Sequence, residues 1–320
     1  MPNPDRLGVW YSVQERLYGD AQTILAGRLV EGAEGPEWFE LQHAEFDGIG
    51  VLWELQRRLY GDDGAGPMPE SGERAPGTLA SWRLLYELVT EPVPRVATWR
   101  SFDEERRGRA TLAWRALSAD RTSAIIARAR REDVSVNSLL LWALGRTVEP
   151  AVNVDRGAVR WMLPVNMRGP IRRSRPTANH SSYIRALTPP RGTPRDVERS
   201  VREAIARREH FATWRGLELG GALGAEIVRR FLEQSARAAL PWIGMFSNLG
   251  RCPPRSDGRG LHDAWIIGAP VTRMLPFACC SVTWHGRLSL SMRAHPVIGF
   301  DQRATEAALD RWVDSALDPS

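Results

Sequence analysis

The sequence predicts a mixed α/β protein of two lobes, each a sheet with helices packed on it. Three observations carry this. Helical and strand-like periodicities occur in both halves, a Pro/Asn/Asp/Gly-rich break separates the halves at residues 149–157, and no internal repeat points to a solenoid. The expected lobes are residues 1–150 and 151–320, and a chain of 320 residues can bury a full core.

The first half opens with a helical pattern over residues 7–18 and a strand over 22–30, closed by a Gly-rich turn before Pro36. A short strand, 38–43, runs into His43-Ala44-Glu45-Phe46-Asp47-Gly48. Ile49, Val51, Leu52, Leu55 and Leu59 then recur at helical spacing, and this helix should stop at Gly61-Asp62-Asp63-Gly64. A Gly/Pro-rich loop to residue 77 precedes a helix over 79–88 and a strand over 111–117. Ser118 and Ser135 are placed to cap helices that run to about residue 131 and over 136–147. The second of these is apolar nearly all round, which predicts burial.

The second half begins with a strand over 159–165, an arginine-rich loop to 178 and a strand over 180–187. Thr193-Pro194-Arg195-Asp196 reads as a capping box with proline at the first helical position. Its helix is expected to bury Val197, Val201, Ala204, Ile205 and Phe211, with a further helix within 217–236. Strands follow over 243–247, 264–267, 278–284 and 288–293. A closing helix over 303–317 presents Leu309, Trp312, Val313, Ala316 and Leu317 on one face.

Composition narrows the function. Hydrophobic residues make up 43% and charged residues 25%, an ordinary globular balance. The net charge of +5 comes from 43 basic residues that are all arginine. They are interleaved with acids and form no recognisable nucleic-acid-binding motif, so no nucleic-acid partner is expected. A basic surface suits phosphorylated ligands or acidic carrier proteins. No run of apolar residues is long enough for a transmembrane helix, and the N-terminus lacks a secretory layout, so a cytoplasmic protein is expected. Cys252, Cys279 and Cys280 form neither a disulfide framework nor a zinc spacing, and no metal site is expected.

The segment after the second strand carries the chemistry. A histidine at a strand end, ahead of a glycine-permitted turn, can project into a cleft. Imidazole is the natural base for an alcohol or amine near neutral pH. By itself His-x-x-x-Asp-Gly is a weak signal, and a structural histidine is an open alternative.

Further stretches change that. The segment resembles the active-site motif of the chloramphenicol acetyltransferase-like superfamily, which includes peptide-synthetase condensation domains and wax ester synthase/diacylglycerol acyltransferases. Val134-Ser135-Val136-Asn137-Ser138 looks like the helix start that follows their first lobe. Leu163-Pro164-Val165-Asn166-Met167-Arg168 is similar to their Pro-Val-Asn-x-Arg strand, and Asn179-His180-Ser181-Ser182 to the Asn-containing strand after it. Phe246-Ser247-Asn248-Leu249-Gly250 is similar to their Ser-Asn-x-Gly segment. These motifs come in the family's order and span the chain from about Gln22.

The resemblance implies a two-lobe chloramphenicol acetyltransferase-like α/β sandwich with the site between lobes. It implies acyl transfer from a thioester, acyl-coenzyme A or an acyl or peptidyl carrier protein, to a hydroxyl or amine, in natural-product or lipid biosynthesis. The thioester is a co-substrate and no other cofactor is implied. His43 would be the general base. Ser247, or a backbone N–H beside Asn248, would stabilise the oxyanion. Asp47 and Gly48 would hold the motif loop, with Arg168 as the partner of Asp47, and Gln42, Asn166 and Asn179 would contact substrate. No Gly-x-Ser-x-Gly elbow suggests an acyl-enzyme. Two other uses of such a fold stay open: a non-catalytic binder of acyl thioesters or carrier proteins, and a cyclase or eliminase.

Two departures stand out. Many relatives have two consecutive histidines, where this chain has Gln42 before His43. The motif also arrives at residue 43, far earlier than in full-length relatives, which implies a shortened first lobe, a more open site or a homodimer that completes the wall. Arg172, Arg173 and Arg175 lie in a loop that reads equally as a coenzyme A phosphate contact and as a solvated basic loop. His180 reads as a structural histidine. The remaining histidines are isolated.

Overall fold

The computed structural model describes residues 6–19, 22–61, 67–92, 95–237, 242–252 and 258–318. A six-stranded sheet of order β3-β9-β8-β6-β4-β5 is its largest element. Its strands are β3 (Thr111–Ala116), β4 (Val159–Asn166), β5 (Ser181–Thr188), β6 (Gly244–Cys252), β8 (Phe277–Trp284) and β9 (Arg287–Ala294). The β4–β6 and β6–β8 pairs are parallel and the others antiparallel. A second sheet of order β2-β1-β7 joins β1 (Thr23–Leu29) and β2 (Glu37–Gln42) to β7 (Ala264–Gly268), all antiparallel. Each sheet draws strands from both sides of residue 150.

Alternation along the strands gives the large sheet two different faces. One face, with Trp161, Phe246, Leu290 and Met292, packs on helices α5 (Val136–Val148) and α9 (Gln302–Leu317) through residues such as Leu140 and Trp312. The opposite face presents Met162, Met245, Ala278 and Cys280 to Ile24, Ala26, Leu52 and Leu55 of the small sheet and of α2 (Gly48–Tyr60). Arg293 donates to the carbonyls of Thr23 and Ala269 at 3.1 Å each, which ties the two layers together.

Local signals set the helix ends. Ser118 and Ser135 cap α4 (Ala119–Arg131) and α5 through Arg121 N–H and Ser138 N–H, and Thr193 and Asp196 form a reciprocal capping box on α6 (Pro194–Ala206). Helix α2 ends at Tyr60 with Gly61 at φ 82°, whereas the rest of the expected Asp62–Gly64 turn lies outside the described residues.

Three expectations need correction. Phe211 does not belong to the helix that starts at Pro194. That helix ends at Ala206, Arg208 takes a left-handed conformation (φ 57°), and Phe211 lies in α7 (Glu209–Leu223). At the break, buried Glu209 pairs with Arg185 on β5 and with Arg207. The helix expected within 217–236 is the end of α7 followed by α8 (Ala225–Arg237), divided at Gly224 with φ 96°. The strand expected to end at Ser247 continues to Cys252 through a bulge between Asn248 and Arg251, with Gly250 at φ 75°.

Helices α1 (Arg6–Tyr18) and α3 (Thr78–Thr90) flank α7. On α3 no residue is fully buried, and Leu79, Trp82, Tyr86 and Val89 are exposed.

Candidate active site

The site is built on the turn that joins β2 to α2. At the end of β2 the N–H of His43 donates to Gln22 O at 2.7 Å, and the N–H groups of Glu45 and Phe46 return to Gln42 O. This turn is clamped onto the segment before β5: Phe46 bridges Ala178, and Asn179 N–H donates to Glu45 O at 3.2 Å.

Within the turn, His43 Nδ1 lies 2.9 Å from Phe46 O. A carbonyl only accepts, so Nδ1 carries the proton and Nε2 keeps its lone pair in the neutral ring. The ring is half-buried, with Tyr11 of α1 edge-on at 5.0 Å between centroids. Desolvation lowers the His43 pKa below its usual 6.5, against opposing contributions from the Phe46 carbonyl and Asp47. The neutral, basic form is therefore favoured.

Asp47 serves the fold. It is 2% exposed and caps α2 through Gly50 N–H at 2.7 Å, while His180 N–H donates to its other oxygen at 2.8 Å. Arg168 completes the set with two parallel bonds of 2.9 Å. The rest of that buried guanidinium is also engaged, with Pro176 O, Ala178 O and Asn166 Oδ1. All five guanidinium N–H groups thus have an acceptor.

Gly48 leaves room for a neighbouring side chain rather than supplying a left-handed turn. It is the first residue of α2 and has no positive φ; instead a Cβ there would approach Leu249 Cδ2 to 2.7 Å. Leu249 belongs to the Ser247–Gly250 segment, so this contact sets β6 against the histidine motif. Ser247 pairs with Cys280 and alternates with Met245 onto the sheet face toward α2. Its hydroxyl is half-buried and makes no hydrogen bond among the described residues. Asn248 Oδ1 accepts from Gly250 N–H at 2.9 Å inside the bulge.

Of the three residues expected to touch substrate, Asn166 and Asn179 hydrogen-bond within the protein. Gln42 is exposed, on the strand position opposite to buried Leu41. Asn166 accepts from Arg168 and donates to Pro69 O at 2.7 Å, fixing the loop before α3. Buried Asn179 donates to Tyr11 Oη at 2.8 Å and to His43 O at 3.0 Å, and accepts from Ser181 N–H. Sequence reasoning missed Tyr11, whose helix carried only a periodicity signal; its placement over His43 depends on how α1 packs on α7. Buried His180 bonds Ala178 O through Nδ1 at 2.7 Å, and Arg175 lies over the Phe46 ring at 5.3 Å.

No protein-family profile matches this sequence, and no curated protein matches it by sequence. Solved structures do match. The trichothecene 15-O-acetyltransferase of Fusarium sporotrichioides superimposes with a TM-score of 0.57 at 12% identity, covering 99% of this chain and 76% of that one. The first condensation domain of the CDA synthetase gives 0.56 at 15% identity, covering 92% and 67%. The wax ester synthase/diacylglycerol acyltransferase of Marinobacter aquaeolei gives 0.54 at 14%, covering 91% and 69%. The chain thus has the two-lobe fold of the chloramphenicol acetyltransferase-like proteins and spans about two thirds to three quarters of these matched chains. Among the described residues no helix is long and apolar enough to cross a membrane, and no cluster of His, Cys, Asp and Glu could hold a metal.

Proposed function

We propose that the protein is an acyltransferase that moves an acyl group from a thioester to a hydroxyl or amine, with His43 as general base. The supporting observation is the commitment of His43 Nδ1–H to Phe46 O, which leaves Nε2 as the basic nitrogen. Nε2 takes the acceptor proton as the acceptor oxygen or nitrogen attacks the thioester carbonyl. The tetrahedral oxyanion is met by the Ser247 hydroxyl or a backbone N–H beside Asn248. Collapse breaks the C–S bond, and the imidazolium returns its proton to the departing thiolate. The donor is acyl-coenzyme A or an acyl or peptidyl carrier protein, and the acceptor a small alcohol or amine.

Direct transfer is favoured over an acyl-enzyme on a protein thiol. All three cysteines are buried, and burial pushes Cys252 and Cys280 up to about 12 and Cys279 well above its usual value, so none is a ready nucleophile.

The test is thiol release from a panel of acyl-coenzyme A thioesters with mixed alcohols and amines, comparing wild type with His43→Ala. Release lost in the variant, together with an acylated acceptor by mass spectrometry, is expected. Equal release from both proteins rules out His43 as the base, and an unacylated acceptor rules out transfer.

A further inference from the structure

The small sheet brings a glutamine beside His43. Thr23 of β1 is registered with Gln42 of β2, and one step further the His43 N–H donates to Gln22 O at 2.7 Å, so Gln22 lies across from His43. Gln22, Ile24 and Ala26 are buried and alternate with Thr23 and Leu25, which are less so. Ile24 and Ala26 pack against Met245, Ala278 and Cys280 of the large sheet, and strand alternation puts the Gln22 side chain on the same inner face. Leu41 packs there too, and His43 follows it by two residues.

Gln22 is 7% exposed, and its buried Nε2 has no hydrogen-bond partner. A buried amide donor left unpaired is costly, so a purely structural role does not account for it. The opposite sheet brings a further donor to the same place rather than an acceptor. A guanidinium nitrogen of Arg293 on β9 donates to the carbonyls of Thr23, the next residue, and of Ala269, at 3.1 Å each. Arg293 Nε is itself buried and unpaired, and Arg293 makes no ion pair among the described residues. Two unpaired donors and a positive charge near a histidine base suit an oxygen that becomes negative only during reaction.

We infer that the side-chain amide of Gln22 is a further catalytic group, donating to the thioester carbonyl oxygen as it becomes the tetrahedral oxyanion, from the sheet opposite Ser247. The inference rests on acyl transfer at His43. As the acceptor attacks, the carbonyl π pair moves onto oxygen and the Gln22 N–H bonds to it. When the pair returns, the C–S bond breaks, and the amide keeps its protons throughout. Arg293, held by two carbonyls, adds a fixed positive charge there and transfers no proton. A donor aimed at charge that exists only in the transition state is unpaired in the resting protein, as Gln22 Nε2 is.

The experiment compares wild type, Gln22→Leu and His43→Ala as full chains, by steady-state kinetics with the acyl-coenzyme A thioester that gives the fastest thiol release and by urea unfolding. Gln22→Leu should lower kcat ~10²- to 10³-fold, the effect of removing one oxyanion donor, with the KM for thioester little changed. Its urea midpoint should be no lower than that of wild type, because an apolar side chain of similar size removes an unpaired donor. Gln22→Met carries the same expectations and decides the matter should Gln22→Leu not fold. A wild-type kcat, a change in KM alone, or a lowered urea midpoint accompanying the loss of kcat overturns the role of Gln22 and leaves His43 as the base. Equal thiol release from wild type and His43→Ala overturns the acyl-transfer reading itself, and the role of Gln22 with it.

Discussion

The carboxylate of Asp47 faces the guanidinium of Arg168 through two parallel 2.9 Å hydrogen bonds, with both side chains 4% exposed or less. The two residues are 121 positions apart in sequence. They join the histidine turn to the end of β4, so this pair holds His43 in place without reaching a substrate itself.

Removing one member leaves the other charge buried. Asp47→Ala should lower stability by ~3–5 kcal/mol, since Arg168 loses its counter-charge and α2 its cap. Equilibrium urea unfolding is the measurement. Unchanged stability combined with abolished transfer would instead make Asp47 a direct participant in the chemistry.

The lowered pKa of His43 has a defined sign. Above pH 6.5 the ring is neutral in both folded and unfolded chains. Below 6.5 the unfolded chain takes up a proton that the folded site resists, so stability falls as pH drops from 6.5 toward the folded pKa. His180, also lowered chiefly by burial, adds in the same direction. Urea midpoints at several pH values should show this loss, and His43→Leu should reduce it. Transfer rates should be flat above neutrality and fall on the acidic side, with the break below 6.5; a break above 7 would contradict the assignment of His43.

Asn179 links three parts of the site, through Tyr11 Oη, His43 O and Ser181 N–H. Asn179→Ala should cost ~1–3 kcal/mol, the penalty for buried partners left unpaired. As a positioning change it should also lower kcat with little effect on KM. A KM effect with kcat intact would place Asn179 against substrate.

Two glycines in the first turn of α2 should respond differently to alanine. At Gly50 the new Cβ would lie 2.0 Å from the backbone oxygen of Thr177, which cannot move without shifting the Arg168 cluster. At Gly48 it meets the mobile end of Leu249. Gly50→Ala should therefore destabilise by more than ~3 kcal/mol and Gly48→Ala by ~1–3 kcal/mol. Comparable melting temperatures for the two variants would refute this ordering.

The buried thiols predict silent cysteines. Maleimide should label the native chain far more slowly than the urea-unfolded chain at pH 7.5, because Cys252 and Cys280 stay protonated up to about 12. Rapid labelling of native protein would show that these strands open.

The sequence was most legible where the signal is local. Caps at Ser118, Ser135 and Thr193 and the period-two strands read correctly because a few adjacent residues determine them. The split between α6 and α7 was not legible, since the apolar spacing runs on through Phe211, while Arg208 turns left-handed and buried Glu209 pairs with Arg185 on β5. At the candidate site, the histidine turn and the Arg168 segment were visible as motifs. Tyr11 was not, because nothing in its own helix marks it.

By itself the sequence determined the α/β class, most element positions, and the presence of a histidine turn that resembles a known active-site motif. Tertiary structure alone decided that β7 completes the small sheet, that Asn166 and Asn179 bond protein groups, and that Gly48 makes room for Leu249. The physical reason is range. Helix caps and strand alternation are fixed by neighbours in the chain, whereas a hydrogen-bond partner or a steric contact depends on residues that only folding brings within a few ångströms.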